Sequence, residues 1–200
     1  SQPLAGGLFV APDIVAHTVT IGGIVQGVDD HLFGYYLTPM PSTQVKALLQ
    51  GPYSASTLSM QTGLRTSGVL ADHFPGAQIP DAAVDSITIE ARNAPTAAAA
   101  TVRVFAPAWL LADGTVRMFT DTSRSAIDLA VPAGTYHIVV HHRNHIPVMS
   151  AAPVAVGAVP VEYDFTTAAA QCYGGDAASL GGGRYGLYAG DVDVNGGIGA

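Results

Sequence analysis

Lysine occurs once, at Lys46, and cysteine once, at Cys172, in a chain of 200 residues. A lone cysteine excludes an internal disulfide, a cysteine-rich zinc site and an iron–sulfur cluster. Lys and Arg together number 8 against 15 Asp and Glu, and the formal net charge of −7 repels phosphate backbones, so no nucleic-acid partner is expected. Charged residues make up only 12% of the chain, where an average domain carries about 25%, and hydrophobic ones make up 48%. Disorder and coiled coil are thereby excluded. The longest apolar stretch, residues 148–161, is broken by Pro153 and Pro160, so membrane insertion is not expected. No charged start leads into an apolar core from Ser1 onward, which leaves a cytosolic protein or a mature one whose signal peptide has been removed.

What is abundant is alternation with a period of two. Residues 85–92 place Ile87, Ile89 and Ala91 on one face and Thr88, Glu90 and Arg92 on the other. Residues 159–165 set Val159, Val161, Tyr163 and Phe165 inward, with Glu162 and Asp164 outward. Residues 135–142 oppose Tyr136, Ile138 and Val140 to Thr135, His137 and His141. Residues 108–120 read as a hairpin turning at Asp113-Gly114, a dipeptide suited to positive φ at both central positions. Residues 131–134 read as a turn, and residues 14–21, 24–28 and 32–37 as further strands. Residues 43–50 fit either a short helix or a strand, and residues 97–100 a loop or single turn. From residue 166 to 186 the chain is small and Gly-rich, which suggests a tail or docking loop. Roughly ten short strands with frequent turns predict an all-β fold, a β-sandwich of immunoglobulin-like or jelly-roll-like type. The expected organisation is an extended N-terminal strand arm (residues 1–40), a sandwich core (41–166) and a Gly-rich C-terminal tail (167–200).

Candidate chemistry is thin. His137, His141, His142 and His145 fall within nine residues. Alternation sends their side chains apart, whereas zinc needs three or four ligands converging at about 2 Å. His142, Arg143, Asn144 and His145 are therefore read as a structural turn, their donors fixing a strand end. Cys172 lacks the electropositive surroundings that a thiolate nucleophile needs. Glu90 and Glu162 are both expected on solvent faces, and no Gly-x-Ser-x-Gly elbow occurs. No enzymatic activity is expected.

Residues 191–198 match the opening of a calcium loop, with Asp191, Asp193 and Asn195 at its first, third and fifth positions. Gly196 would permit the sharp turn, Gly197 would offer its carbonyl, and Ile198 would anchor the loop. No acid stands at the twelfth position, so weak Ca2+ binding is the expected cofactor interaction.

The run His142-Arg143-Asn144-His145, followed by Val148-Met149-Ser150-Ala151, carries a family likeness. So do residues 49–53, Ile79-Pro80-Asp81, Leu110-Leu111, Tyr163-Asp164-Phe165-Thr166, Tyr173-Gly174 and Gly190-Asp191, in that order. Together they resemble a β-rich module of secreted and cell-surface proteins of Bacteroidetes-type bacteria, over about residues 45–200. The resemblance implies a strand over residues 43–50, extracellular display and no assigned catalysis. It also implies a dockerin-like calcium segment at the end, of which only the opening is present. Asp85-Ser86-Ile87 resembles the short sites at which such bacteria attach O-linked glycans.

Two function classes follow. One is a structural subunit of a surface filament, pilus-like fibre or sheath, whose partners are copies of itself. Its N-terminal arm would supply Ile14, Val15, Val19 and Ile21 to a neighbour's sheet edge, because sheet edges normally guarded by lysine and charge are sparsely guarded here. The other is an adhesin or carbohydrate-binding module whose partners are glycans, with Trp109, Tyr35, Tyr36 or Tyr185 as stacking platforms. Trp109, inside an expected hairpin, reads better as core.

Overall fold

The computed structural model describes residues 39–191. The chain divides into two units, Ser1–Thr38 and Pro39–Ala200. Ile14, Val15, Val19 and Ile21, and the strands expected around them, lie outside the described residues, as do Tyr35 and Tyr36.

In chain order the elements are β1 (Ser42–Lys46), β2 (Tyr53–Ser54), β3 (Ser59–Met60), α1 (Gly63–Thr66), α2 (Val69–His73), β4 (Ala83–Arg92) and β5 (Arg103–Leu111). They continue with β6 (Val116–Met118), β7 (Ile127–Asp128), β8 (Gly134–His142), β9 (His145–Met149), β10 (Val154–Val156), β11 (Val161–Asp164), β12 (Ala178–Gly181) and β13 (Arg184–Gly186). The long alternating segments supply the centre of a sheet ordered β10-β8-β4-β5-β6. Strand β9 lies beside β8 on the same edge as β10, opposite Val139–His142, while β10 takes Gly134–Tyr136. A smaller sheet, β11-β1-β7, is parallel between β1 and β11. The two enclose one core in which Val45 and Ile127 of the small sheet join Ile87, Ile89, Ala91, Ile138 and Val140 of the large one. Each valine and isoleucine among them contributes about 1.5–3 kcal/mol on burial. The protein is an all-β sandwich.

The outer face of the large sheet is covered at one end. Trp109, Leu70, Ala83 and Leu111 form a second small core, padded by Leu64, Phe74 and Phe119. Phe119 stacks on Trp109 at 4.5 Å and Phe74 meets it edge-on at 5.1 Å. Helices α1 and α2, of four and five residues, are too short to show a helical period along the chain.

Several expectations are corrected. The β5–β6 turn is not a two-residue Asp113-Gly114 turn: of the two residues Gly114 has positive φ and Asp113 does not. Gly114 N–H donates to Leu111 O over 2.9 Å and Leu111 N–H to Thr115 O over 2.9 Å, giving a three-residue loop that ends on the glycine. Val159 and Val161 do not face inward; they are 80% and 45% exposed at the outer end of the edge strand β11, while Tyr163 packs half-buried against the core and Phe165 beyond the strand is fully buried, both as expected. Glu90 is not on a solvent face but fully buried. The Gly-rich segment is no tail, since Cys172, Ala177 and Leu187 belong to the core and β12 pairs with β13. Residues 43–50 are extended, with β1 at the start and Val45, Ala47, Leu48 and Leu49 all buried.

Candidate functional site

Strands β4 and β8 are paired from Arg92↔His137 to Thr88↔His141 and no further. Beyond that point they part around a cleft of about 280 Å³ lined by Ser86, Ile87, Thr88, His141, His142 and Arg143. Behind the lining residues a carboxylate ties the two strands together in place of the missing ladder. Asp85, shifted inward by a β-bulge between Ala83 and Asp85, accepts from Ser86 N–H (2.8 Å) and from His142 Nε2 (3.0 Å). Both Arg143 Nη groups fork onto it at 2.7 Å. Burial would raise the Asp85 carboxyl, but the His142 hydrogen bond and charge, the Ser86 amide and Arg143 together hold it below its ordinary range.

The expected structural turn sits on this carboxylate. Arg143 and Asn144 form the two-residue turn between β8 and β9, with a bulge after Val140. His142 and His145 face each other across it, ring centroids 4.7 Å apart. His145 Nδ1 contacts His142 Nδ1 (2.9 Å) and Asn144 Oδ1 (2.8 Å), and Gly51 N–H donates to its Nε2 (3.4 Å). Burial, then the His142 charge, push the His145 imidazole down to about 4, with Asp85 acting in the opposite sense and Arg143 adding to the fall.

A second buried carboxylate lies on the outer face. Arg103 Nε–H donates to Glu90 Oε1 (2.6 Å) and His141 Nε2–H to Oε2 (2.7 Å), while Arg92 stands 4.0 Å away. Burial works to raise the Glu90 carboxyl, and Arg103 and His141 overcome it and hold it low. Its ionised form is thus compensated by neighbours, as a buried charge must be. Phe105 lies beside this cluster, 54% exposed, with its ring centroid 6.1 Å from that of His141 and 5.2 Å beneath the Arg103 guanidinium.

The four histidines go to three places, and the expectation that their side chains part fails for His142 and His145, which touch. His137 Nδ1 is 3.1 Å from Ser150 O, His141 serves Glu90, and His142, in contact with His145, serves Asp85. Among the described residues no group of three or more His, Cys, Asp or Glu side chains is placed to hold a metal ion. Of the calcium-loop residues, Asp191 is fully buried and engaged, while Asp193, Asn195 and Gly197 lie outside the described residues. Cys172 is buried, and burial, with Asp176 nearby, pushes its thiol up to about 11, which suits core packing and not nucleophilic attack. Trp109 is in the small core and offers no exposed ring.

Sequence reasoning did not bring Asp85, Ser86, Thr88, Glu90, Arg103 and Phe105 together; it named Asp85-Ser86-Ile87 only as a likeness to a glycan-attachment site and Glu90 only as a solvent-face residue. One signal was present: Glu90 and Arg92 share a polar face of a strand flanked by apolar turns of sequence. Nothing local, however, places Arg103 and His141 beside them. No family model, curated protein or solved structure matches this chain.

Proposed function

We propose that the protein is an extracellular structural subunit that assembles with copies of itself into a surface filament, pilus-like fibre or sheath. The N-terminal strand bearing Ile14, Val15, Val19 and Ile21 is donated to the open edge of a neighbour's small sheet. One observation carries this reading. Among the described residues β11 is paired on one side only, by β1, and Val161 and the preceding Val159 stand exposed along it. Natural edges are guarded by charge, Pro or a covering loop. Here the guard is Pro160 and a Lys46–Glu162 pair at 3.9 Å, which is weak because both side chains are solvated. A donated strand satisfies such an edge through main-chain hydrogen bonds, and a head-to-tail contact that does not close yields a filament. Weak calcium binding near Asp191 belongs to the same reading, as a feature of an extracellular module.

Negative-stain microscopy of the full chain at high concentration tests it. Filaments are expected, and they should vanish in the Val19→Asp, Ile21→Asp double variant and in Val159→Lys, Val161→Lys, each of which should still melt cooperatively. Monodisperse particles from the unmodified chain would overturn the reading.

A further inference from the structure

We infer that the outer face of β4, β5 and β8 binds a glycan ending in a carboxylate-bearing sugar. This does not depend on self-assembly. The cleft between β4 and β8 is lined by the hydroxyls of Ser86 and Thr88, and neither hydroxyl makes a hydrogen bond with any described residue. Across from Thr88, His141 spends Nε2 on Glu90, and that bond leaves Nδ1 for a sugar hydroxyl, which can both donate and accept. The cleft, at about 280 Å³, falls just short of the roughly 300–1,000 Å³ of drug-sized pockets. One sugar ring fits that scale, with the remainder of the glycan over open surface.

Beside His141 the exposed Phe105 ring offers an apolar platform for the C–H face of a pyranose. The Arg103 guanidinium lies over that platform and is held through Nε by Glu90. Its Nη groups remain to fork onto a carboxylate. Arg143, 52% exposed, stands at the far rim of the cleft. Arg92 and Arg103 stand at Glu90, on β4 and at the start of β5, and Arg143 stands at Asp85 at the other end of β4, so three of the 8 basic residues in a chain of net charge −7 face two carboxylates here and leave positive charge in excess. A ligand with a single carboxylate uses this local charge. A polyanion would meet the repulsion of the whole chain.

Titration calorimetry of the full-length protein with sialyllactose and with a glucuronate-terminated disaccharide, lactose serving as the uncharged comparator, tests the inference. At least one acidic sugar is expected to bind at least tenfold tighter than lactose. Phe105→Ala and the Ser86→Ala, Thr88→Val pair should each weaken that binding fivefold or more without shifting Tm. Arg103→Lys, which keeps the charge beside Glu90 but loses the fork, should erase the preference over lactose. Equal affinity for lactose, no heat with either acidic sugar up to 10-millimolar-scale concentrations (~10 mM, far weaker than the micromolar range of specific recognition), or binding indifferent to Phe105→Ala would each overturn the assignment.

Discussion

His145 Nδ1 lies 2.9 Å from His142 Nδ1, and this contact fixes the protons of both rings. Gly51 N–H donates to His145 Nε2, so the His145 proton is on Nδ1. That proton is shared between His142 Nδ1 and Asn144 Oδ1. While His142 is neutral its Nδ1 accepts and its own proton is on Nε2, donated to Asp85; a charged His142 would turn a second N–H toward His145 Nδ1, which is the repulsion that lowers the His145 imidazole. A second proton on His145 would have to sit on Nε2, pointing at the Gly51 amide. Burial disfavours the charge and the hydrogen-bond chain leaves no place for it.

The first expected outcome is an acid weakness set by His145. Its folded pKa, about 4, is below the ordinary 6.5, so between those values the unfolded chain binds more protons than the folded one. Stability then rises with pH across this window and falls as pH drops from 6.5 toward 4, by roughly 3 kcal/mol in all. Asp85 and Glu90, held low, keep their stabilisation through this window and lose it only below the ordinary carboxylate range. Urea unfolding at a series of pH values should show the slope, and His145→Gln, which can still accept from Gly51, should flatten it. An unchanged slope in that variant would place the acid sensitivity elsewhere.

Asp85 should be the costliest polar position in the turn. Asp85→Ala strands the Ser86 amide and the buried His142 Nε2–H and leaves Arg143 unpaired, at a cost of about 3 kcal/mol. Arg143→Ala removes a partner that is half in solvent and should cost about 1 kcal/mol or less. Equal losses in the two variants, measured by denaturant midpoints, would mean that the fork and not the buried carboxylate holds the turn.

Trp109 makes the small core separately measurable, because it is the one tryptophan of the chain. Trp109→Ala should cost about 3–5 kcal/mol by the cavity it leaves among Leu70, Phe74 and Phe119. Trp109→Phe should cost distinctly less, since the buried Nε1–H has no hydrogen-bond partner to lose. Native tryptophan emission should be blue-shifted and should redden together with the loss of far-ultraviolet β signal. Earlier reddening would show that α1 and α2 detach before the sandwich opens.

Alternation made β4, β8 and the β5–β6 hairpin legible, because a period of two is a local property of the chain. It assigned Ile87, Ile89 and Ala91 to the core correctly. It misplaced Glu90 because the polar face of a central strand can also be covered, here by Arg103 and His141 from strands 13 and 51 positions away. Val159 and Val161 were misplaced for the opposite reason: an edge strand can alternate and yet leave its apolar residues in solvent. The cleft was illegible because it arises where the β4–β8 ladder stops, which is a fact of pairing. The Gly-rich segment was misjudged because its few apolar residues, Cys172 and Leu187 among them, count for more than their number when each is buried.

That segment yields the sharpest test. Leu187 N–H donates to Leu48 O over 2.8 Å and Gln50 N–H to Leu187 O over 3.1 Å, so the chain just after β13 runs parallel beside the continuation of β1. Gly186 makes this approach possible: a Cβ there would collide with Leu48 O and lie 2.8 Å from Leu180 Cδ1. Backbone cannot move aside as a flexible side chain can, so Gly186→Ala should cost about 3 kcal/mol or more. Gly183 is the control. Its φ of +72° strains any side chain, but nothing lies within 4 Å of its Cβ position, so Gly183→Ala should cost only about 1 kcal/mol. A detached tail would tolerate both changes alike. A large loss at Gly186 beside a small one at Gly183, read from denaturant midpoints, makes residues 186–187 a strand of the sandwich in energy as well as in geometry, whereas equal small losses would return them to the role of a tether.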